Sequence, residues 1–169
     1  MQNPRLVDDE ICGIQPLWKD MSGISYFESY RGRKRFLPYF DLLSSHRVIE
    51  IGPGVHPVNE YYLCGEYIDA APPYPNDGLS VLRRQPDASA VVVSFGVIDG
   101  TILAASFETM SPEKTRLLER YITELAEEIK RVMNPFAIVV GLDAERYLGK
   151  PHVYCSTGSP HGGVYISDR

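Results

Sequence analysis

Glu50, Gly52, Pro53, Gly54 and Asp69 form a set whose types and spacing point to ligand chemistry. Glu50 sits inside an apolar run, Val48-Ile49-Glu50-Ile51, directly ahead of Gly52-Pro53-Gly54. Glycines at the end of a parallel strand allow backbone angles that other residues resist, and their missing side chains let a ligand approach the main chain. A helix that starts after such a turn offers unpaired N–H groups. An acid about twenty residues later, at the end of the next strand, can accept hydrogen bonds from two ribose hydroxyls. Asp69 stands 19 residues after Glu50, closing Tyr67-Ile68-Asp69. The combination describes a nucleotide-binding turn. A purely structural turn with an ordinary strand-end carboxylate is the alternative.

The details discriminate among nucleotides. A dinucleotide fingerprint needs three glycines as G-x-G-x-x-G, and Gly52-Pro53-Gly54-Val55-His56-Pro57 lacks the third. The Gly-Lys-Ser/Thr ending of a P-loop is also missing. An acid just before the first glycine does not suit a diphosphate. Glu50 suits a cationic group instead, such as the methionine amine of S-adenosylmethionine. Ser94, Phe95 and Gly96 end a later strand, where open α/β sheets place ligands, and join the set as cofactor-binding candidates. His56, beside the loop, can act as a base, with an unperturbed pKa near 6.5. A ring bonded to backbone is its structural alternative. Asp99 is the other candidate catalytic group. Ser156 and Ser159 lie in a glycine-rich loop without a G-x-S-x-G elbow, so no nucleophile is expected. His152, His161 and Cys155 match no usual zinc spacing, so no metal is expected.

The elements that must hold these residues read as follows. Residues 1–24 mix Pro, Gly, Asp and apolar residues without sustained periodicity, as an arm on the domain or on a partner chain. From Tyr26 to Leu43 an apolar face recurs at helical spacing, interrupted by Gly32 and Pro38. Tyr26, Phe27 and Tyr30 can close over a cofactor or pack in the core. Short strands are predicted at Arg47 to Ile51, Glu66 to Ala70, Ala90 to Phe95 and Phe136 to Val140, with a short helix from Leu79 to Arg84. The clearest helix follows Ser111, a good N-cap, with Pro112 at its first position and a stripe from Leu118 to Val132. Asn134-Pro135 ends it. Val153 to Cys155 and Val164 to Ile166 predict a hairpin around a long loop. Strands alternating with helices imply a mostly parallel α/β sheet, to which a terminal hairpin adds an antiparallel edge.

Val48-Ile-Glu-Ile-Gly-Pro-Gly54 resembles motif I of class I S-adenosylmethionine-dependent methyltransferases. Tyr67-Ile-Asp69 is similar to their post-I motif, and Ala88 to Asp99 to the strand carrying motif IV. The stretch from Leu117 to Val140 resembles the helix and strand that follow. The resemblance covers roughly residues 25–169 and implies a Rossmann-like domain with flanking helices. It implies that Asp69 holds the ribose hydroxyls. Two departures stand out: His56 replaces a further glycine of many members, and only about 20 residues separate Asp69 from the Val91 strand. A full member fits a third strand and a helix there, with the acid that recognises the adenine amine.

Composition bounds the rest. At 169 residues, one domain is expected, here 25–169 behind the arm. A net charge of −5 argues against a general grip on nucleic acid, although Arg31 to Arg35 is a small basic patch. Cys12, Cys64 and Cys155 are scattered and form no disulfide framework. No apolar run reaches a membrane span and no signal-peptide core is visible, so a soluble cytoplasmic protein is expected. The expected function is methyl transfer from S-adenosylmethionine to a small molecule or protein. Positioning of an acceptor can suffice for that reaction. The alternative is a methyltransferase fold that no longer methylates and serves as a binding or assembly module. A homodimer through sheet edges, the arm and the hairpin stays open.

Overall fold

The computed structural model describes residues 5–21, 36–53, 57–95, 97, 111–141, 143–155 and 161–168, with side chains undescribed for 15–21. The first element is a helix, α1 (Asp8–Met21), with Asp8, Asp9 and Glu10 in its first turn, where unpaired N–H groups favour negative charge. Its apolar residues show no sustained periodicity because Gly13 and Pro16 interrupt them. Leu6, Ile11 and Ile14 are nevertheless buried in the core, so the arm is part of the domain's packing. Of the region from Tyr26 to Leu43, residues 36–43 are described and hold α2 (Leu37–Leu42), with Pro38 in its first turn.

Among the described residues six strands follow: β1 (Arg47–Ile51), β2 (Glu66–Ala70), β3 (Ala90–Phe95), β4 (Met133–Val140), β5 (Val153–Tyr154) and β6 (Gly162–Ile166). Between them lie α3 (Gly78–Arg83), α4 (Pro112–Val132) and α5 (Ala144–Leu148). The sheet order is β2-β1-β3-β4-β6-β5. β2, β1, β3 and β4 are mutually parallel, and β6 runs antiparallel to both neighbours. The chain is therefore an α/β protein with a mostly parallel mixed sheet and flanking helices. The expected C-terminal antiparallel hairpin is present at the edge of the sheet, joined to it by the antiparallel pairing of β6 with β4. β6 is inserted between β4 and β5, and the two-residue β5 forms that edge. Glycine makes the insertion feasible: a Cβ on Gly163 (φ +154) would overlap the Val153 carbonyl oxygen.

One face of the sheet, with Ile49, Ile51, Ala70, Val92, Ala137 and Val139, packs against α1, α3 and α4. The other face, with Val48, Val91, Val93, Phe136, Ile138 and Val140, packs against α2 and Val58. The β2-to-β3 and β3-to-β4 connections move the same way across the sheet and share a face. The β1-to-β2 connection moves the other way and lies on the opposite face, as right-handed crossovers require. Ser111 caps α4 by accepting from the Lys114 N–H at 3.2 Å. The helix passes into β4 at Met133 with no intervening loop, three residues before the predicted strand start. The β2-to-β3 connection is short, with only α3 and turns in residues 71–89. Among the described residues no helix is long and apolar enough to cross a membrane.

Candidate functional site

The chain leaves β1 for β2 on one side, then returns past β1 to β3 on the other. This reversal makes the carboxyl end of β1 the switch point of the described sheet, the place where doubly wound sheets take ligands. Gly52 starts the turn there with φ +60, in the left-handed region that glycine tolerates. Its N–H donates to the Ala70 carbonyl at 2.9 Å, tying the turn to the end of β2. A Cβ on Gly52 would lie 2.6 Å from Val97 Cγ2. Pro53 is buried. Gly54 and His56 lie outside the described residues, as do Gly96, Asp99, Ser156, Ser159, the aromatics Tyr26, Phe27 and Tyr30, and the basic patch from Arg31 to Arg35.

The sequence predicts a helix after the glycine turn. Among the described residues the crossover holds instead a single 3₁₀ turn, Val58–Glu60, entered through an extended Pro57. Pro53 and Pro57 interrupt a short crossover that ends at Gly65, which leaves little room for a helix. A helix N-terminus therefore cannot be counted among the site's described features. The first described N–H beyond the loop that bears on the site, that of Val58, is directed at Glu50.

Glu50 is 1% exposed, an unusual environment for a carboxyl group. Its Oε1 accepts from the Val58 N–H at 2.7 Å and from the Tyr67 hydroxyl at 2.7 Å. Both partners are neutral donors. Burial pushes the carboxyl up to about 7; the two hydrogen bonds pull against it, and the charge of Asp69 adds to the rise. The same neighbourhood raises the Tyr67 hydroxyl, first by burial and then by Glu50. The Cys64 thiol is raised by burial and by Glu50 as well.

Asp69 is the register partner of Glu50 across the β1–β2 ladder. In-register residues on neighbouring strands present side chains to the same face, and Val93 and Ile138 continue this row across β3 and β4. Asp69 is exposed, and partial desolvation raises its carboxyl. Phe95, two residues beyond Val93, shares the face and lies 6.4 Å from Phe40, which stacks on Tyr62 at 4.5 Å. Ser94 pairs with Ile51 and faces the helices on the other side. It is fully buried, with no hydrogen-bond partner for its hydroxyl among the described residues.

The fold thus brings Glu50, Asp69 and Phe95 to one face, with Gly52 and Pro53 at its tip, and separates Ser94 from them. Tyr67 and Val58 are not among the residues the sequence singles out. Tyr67 is within reach of a sequence argument, because it lies two residues before Asp69 and alternation along a strand puts both on one face. Nothing in the sequence marks the Val58 N–H as the partner of Glu50. Chemically, the arrangement offers a buried carboxyl with neutral partners, suited to a cation, and an exposed carboxylate suited to hydroxyl donors. As hydrogen-bond acceptors, these two carboxyl groups can meet an amine and a pair of hydroxyls. No family model, curated protein or solved structure matches the chain.

Proposed function

We propose that the chain is a Rossmann-like, methyltransferase-like protein that binds S-adenosylmethionine and methylates a small molecule or a protein. The observation that carries this reading is the in-register placement of Glu50 and Asp69 beside the glycine turn, at the switch point of the sheet. In this reading Asp69 accepts from the ribose hydroxyls and Glu50 faces the amine. Gly52 and Pro53 form the floor of the turn, and Phe95 contributes an apolar wall. The bound cofactor supplies an activated methyl group, and the protein's part is to orient donor and acceptor. His56 and Asp99 are the groups available to take a proton where the acceptor carries one.

A thermal-shift assay with S-adenosylmethionine and S-adenosylhomocysteine tests the reading, supported by mass spectrometry of the native protein for a co-purified adenosyl ligand. Stabilisation by both ligands, lost in Asp69→Ala, is expected. No shift at millimolar ligand and no co-purified adduct would sink the proposal.

A second reading is favoured by the short β2-to-β3 connection, which leaves β2 as an edge of the described sheet. A third strand and its adenine-binding acid have no place there, which suits a fold that binds or assembles without methylating. Transfer of a labelled methyl group by the purified protein to any acceptor rules this out.

A further inference from the structure

We propose that ligand binding at the glycine turn is linked to release of one proton from the Glu50 carboxyl to solvent. This inference rests on the reading of the site as one for an amine-bearing adenosyl ligand. Its basis is the cluster of groups around Glu50. From β2 come Tyr67, which donates to Oε1 at 2.7 Å, and Asp69, the acidic register partner. The segment between β1 and β2 contributes the Val58 N–H at 2.7 Å, together with the partly buried Tyr62 and Cys64 of the same cluster. β3 presents Val91, Val93 and Phe95, and α2 presents Phe40, all apolar. His56 falls outside the described residues.

Among the described residues every ionisable group named here is neutral or acidic, so ionising Glu50 in the unliganded protein places a second negative charge beside Asp69 in a buried site. The carboxyl accordingly holds its proton to about pH 7. A ligand ammonium supplies a counter-charge that none of the described neighbours offers. The balance is COOH plus ligand ammonium giving carboxylate paired with ammonium, and one proton to the buffer. No covalent bond changes other than O–H. Release then amounts to about one proton at pH 6, about half at pH 7 and close to none at pH 8.5. Apparent affinity weakens about tenfold from pH 8 to pH 6, because only the ionised fraction is competent to pair.

The test is calorimetric titration of S-adenosylhomocysteine into the protein at pH 7, in phosphate and in imidazole, whose ionisation enthalpies differ. The slope of heat against buffer enthalpy counts protons. About half a proton released by wild type, none by Glu50→Gln and a wild-type count in His56→Asn supports the proposal. Measurable binding with zero slope overturns it and leaves the adenosyl reading intact. A slope that survives Glu50→Gln, or that disappears in His56→Asn, also overturns it. No binding heat at millimolar ligand overturns both. Where Glu50→Gln fails to fold or to bind, carbon NMR of the wild-type Glu50 carboxyl decides. Its midpoint must fall on ligand addition, and an unchanged midpoint contradicts the linkage.

Discussion

At Glu50 burial outweighs the hydrogen bonds from Val58 and Tyr67, so the carboxyl is harder to ionise in the folded protein than in the unfolded chain. The unfolded chain titrates this carboxyl near 4.5, and burial in the folded protein raises it to about 7. Between those values the folded state binds more protons than the unfolded one, so stability falls as pH rises. The contribution is full below about pH 4.5 and lost by the time pH has passed 7. The loss is on the order of 3 kcal/mol, since each tenfold change in proton affinity is worth about 1.4 kcal/mol. Glu50→Gln keeps an acceptor for Val58 and Tyr67 but cannot ionise. Urea denaturation at pH 5 and pH 8 should therefore show the variant gaining on wild type at the higher pH. An equal difference at both values refutes the assignment. Gly52 allows a second prediction. Gly52→Ala places a Cβ against Val97 Cγ2 and holds a non-glycine residue at φ +60. That conformation costs about 1–2 kcal/mol, a loss measurable as a lower denaturation midpoint with an unchanged slope. The residue types at this turn are legible in the sequence, because Glu50, the glycines and Asp69 are close along the chain. The partners of Glu50 are not, since Val58 reaches it only through the path of the crossover.

Among the elements, legibility tracks how local the signal is. α4 is readable almost residue by residue, because its cap, proline and apolar stripe are contiguous in the sequence. β3 is readable as an unbroken apolar run covered on both faces. α1 is not, because Gly13 and Pro16 hide a helix whose stability comes from tertiary contacts. Those contacts are specific. Glu10 of α1 pairs with Arg120 at 3.1 Å, and just ahead of the helix Arg5 pairs with Glu128 at 3.0 Å and the Leu6 N–H donates to Glu124 at 2.7 Å. Ile11→Ala and Ile14→Ala should each cost about 2–5 kcal/mol if α1 is core, against a few tenths for a loosely attached arm. Among the described residues a 3₁₀ turn stands in place of the helix expected after the glycine turn, because a helical crossover needs length and two prolines fall in this short one. At the other end of the sheet, Gly163→Ala drives a Cβ into the Val153 carbonyl. Loss of the β5–β6 pairing, with destabilisation of about 3 kcal/mol or more, is the expected result, read from amide exchange in Val153 to Cys155 and thermal unfolding. Unchanged exchange there refutes the crowding.

At the scale of the whole molecule, the strand order cannot be derived from the hydrophobic pattern. The alternation of strands and helices indicates a mostly parallel sheet, and the sheet is mostly parallel. The insertion of β6 between β4 and β5 depends on long-range pairing through Gly162 and Gly163, which no local signal encodes. The order nonetheless decides what surrounds the end of β1, because it places β2 and β3 on either side of it. Two carboxyl groups 19 residues apart in sequence then become register partners near the carboxyl end of β1. The most direct measurement of the central claim is calorimetric titration of wild-type and Asp69→Ala protein with S-adenosylhomocysteine. Wild type should show saturable binding at one site. The variant should bind at least about tenfold more weakly, since each hydrogen bond to a charged acceptor contributes about 1.5–3 kcal/mol. Absence of binding by the wild type at millimolar ligand, or equal affinity in the two proteins, contradicts the account.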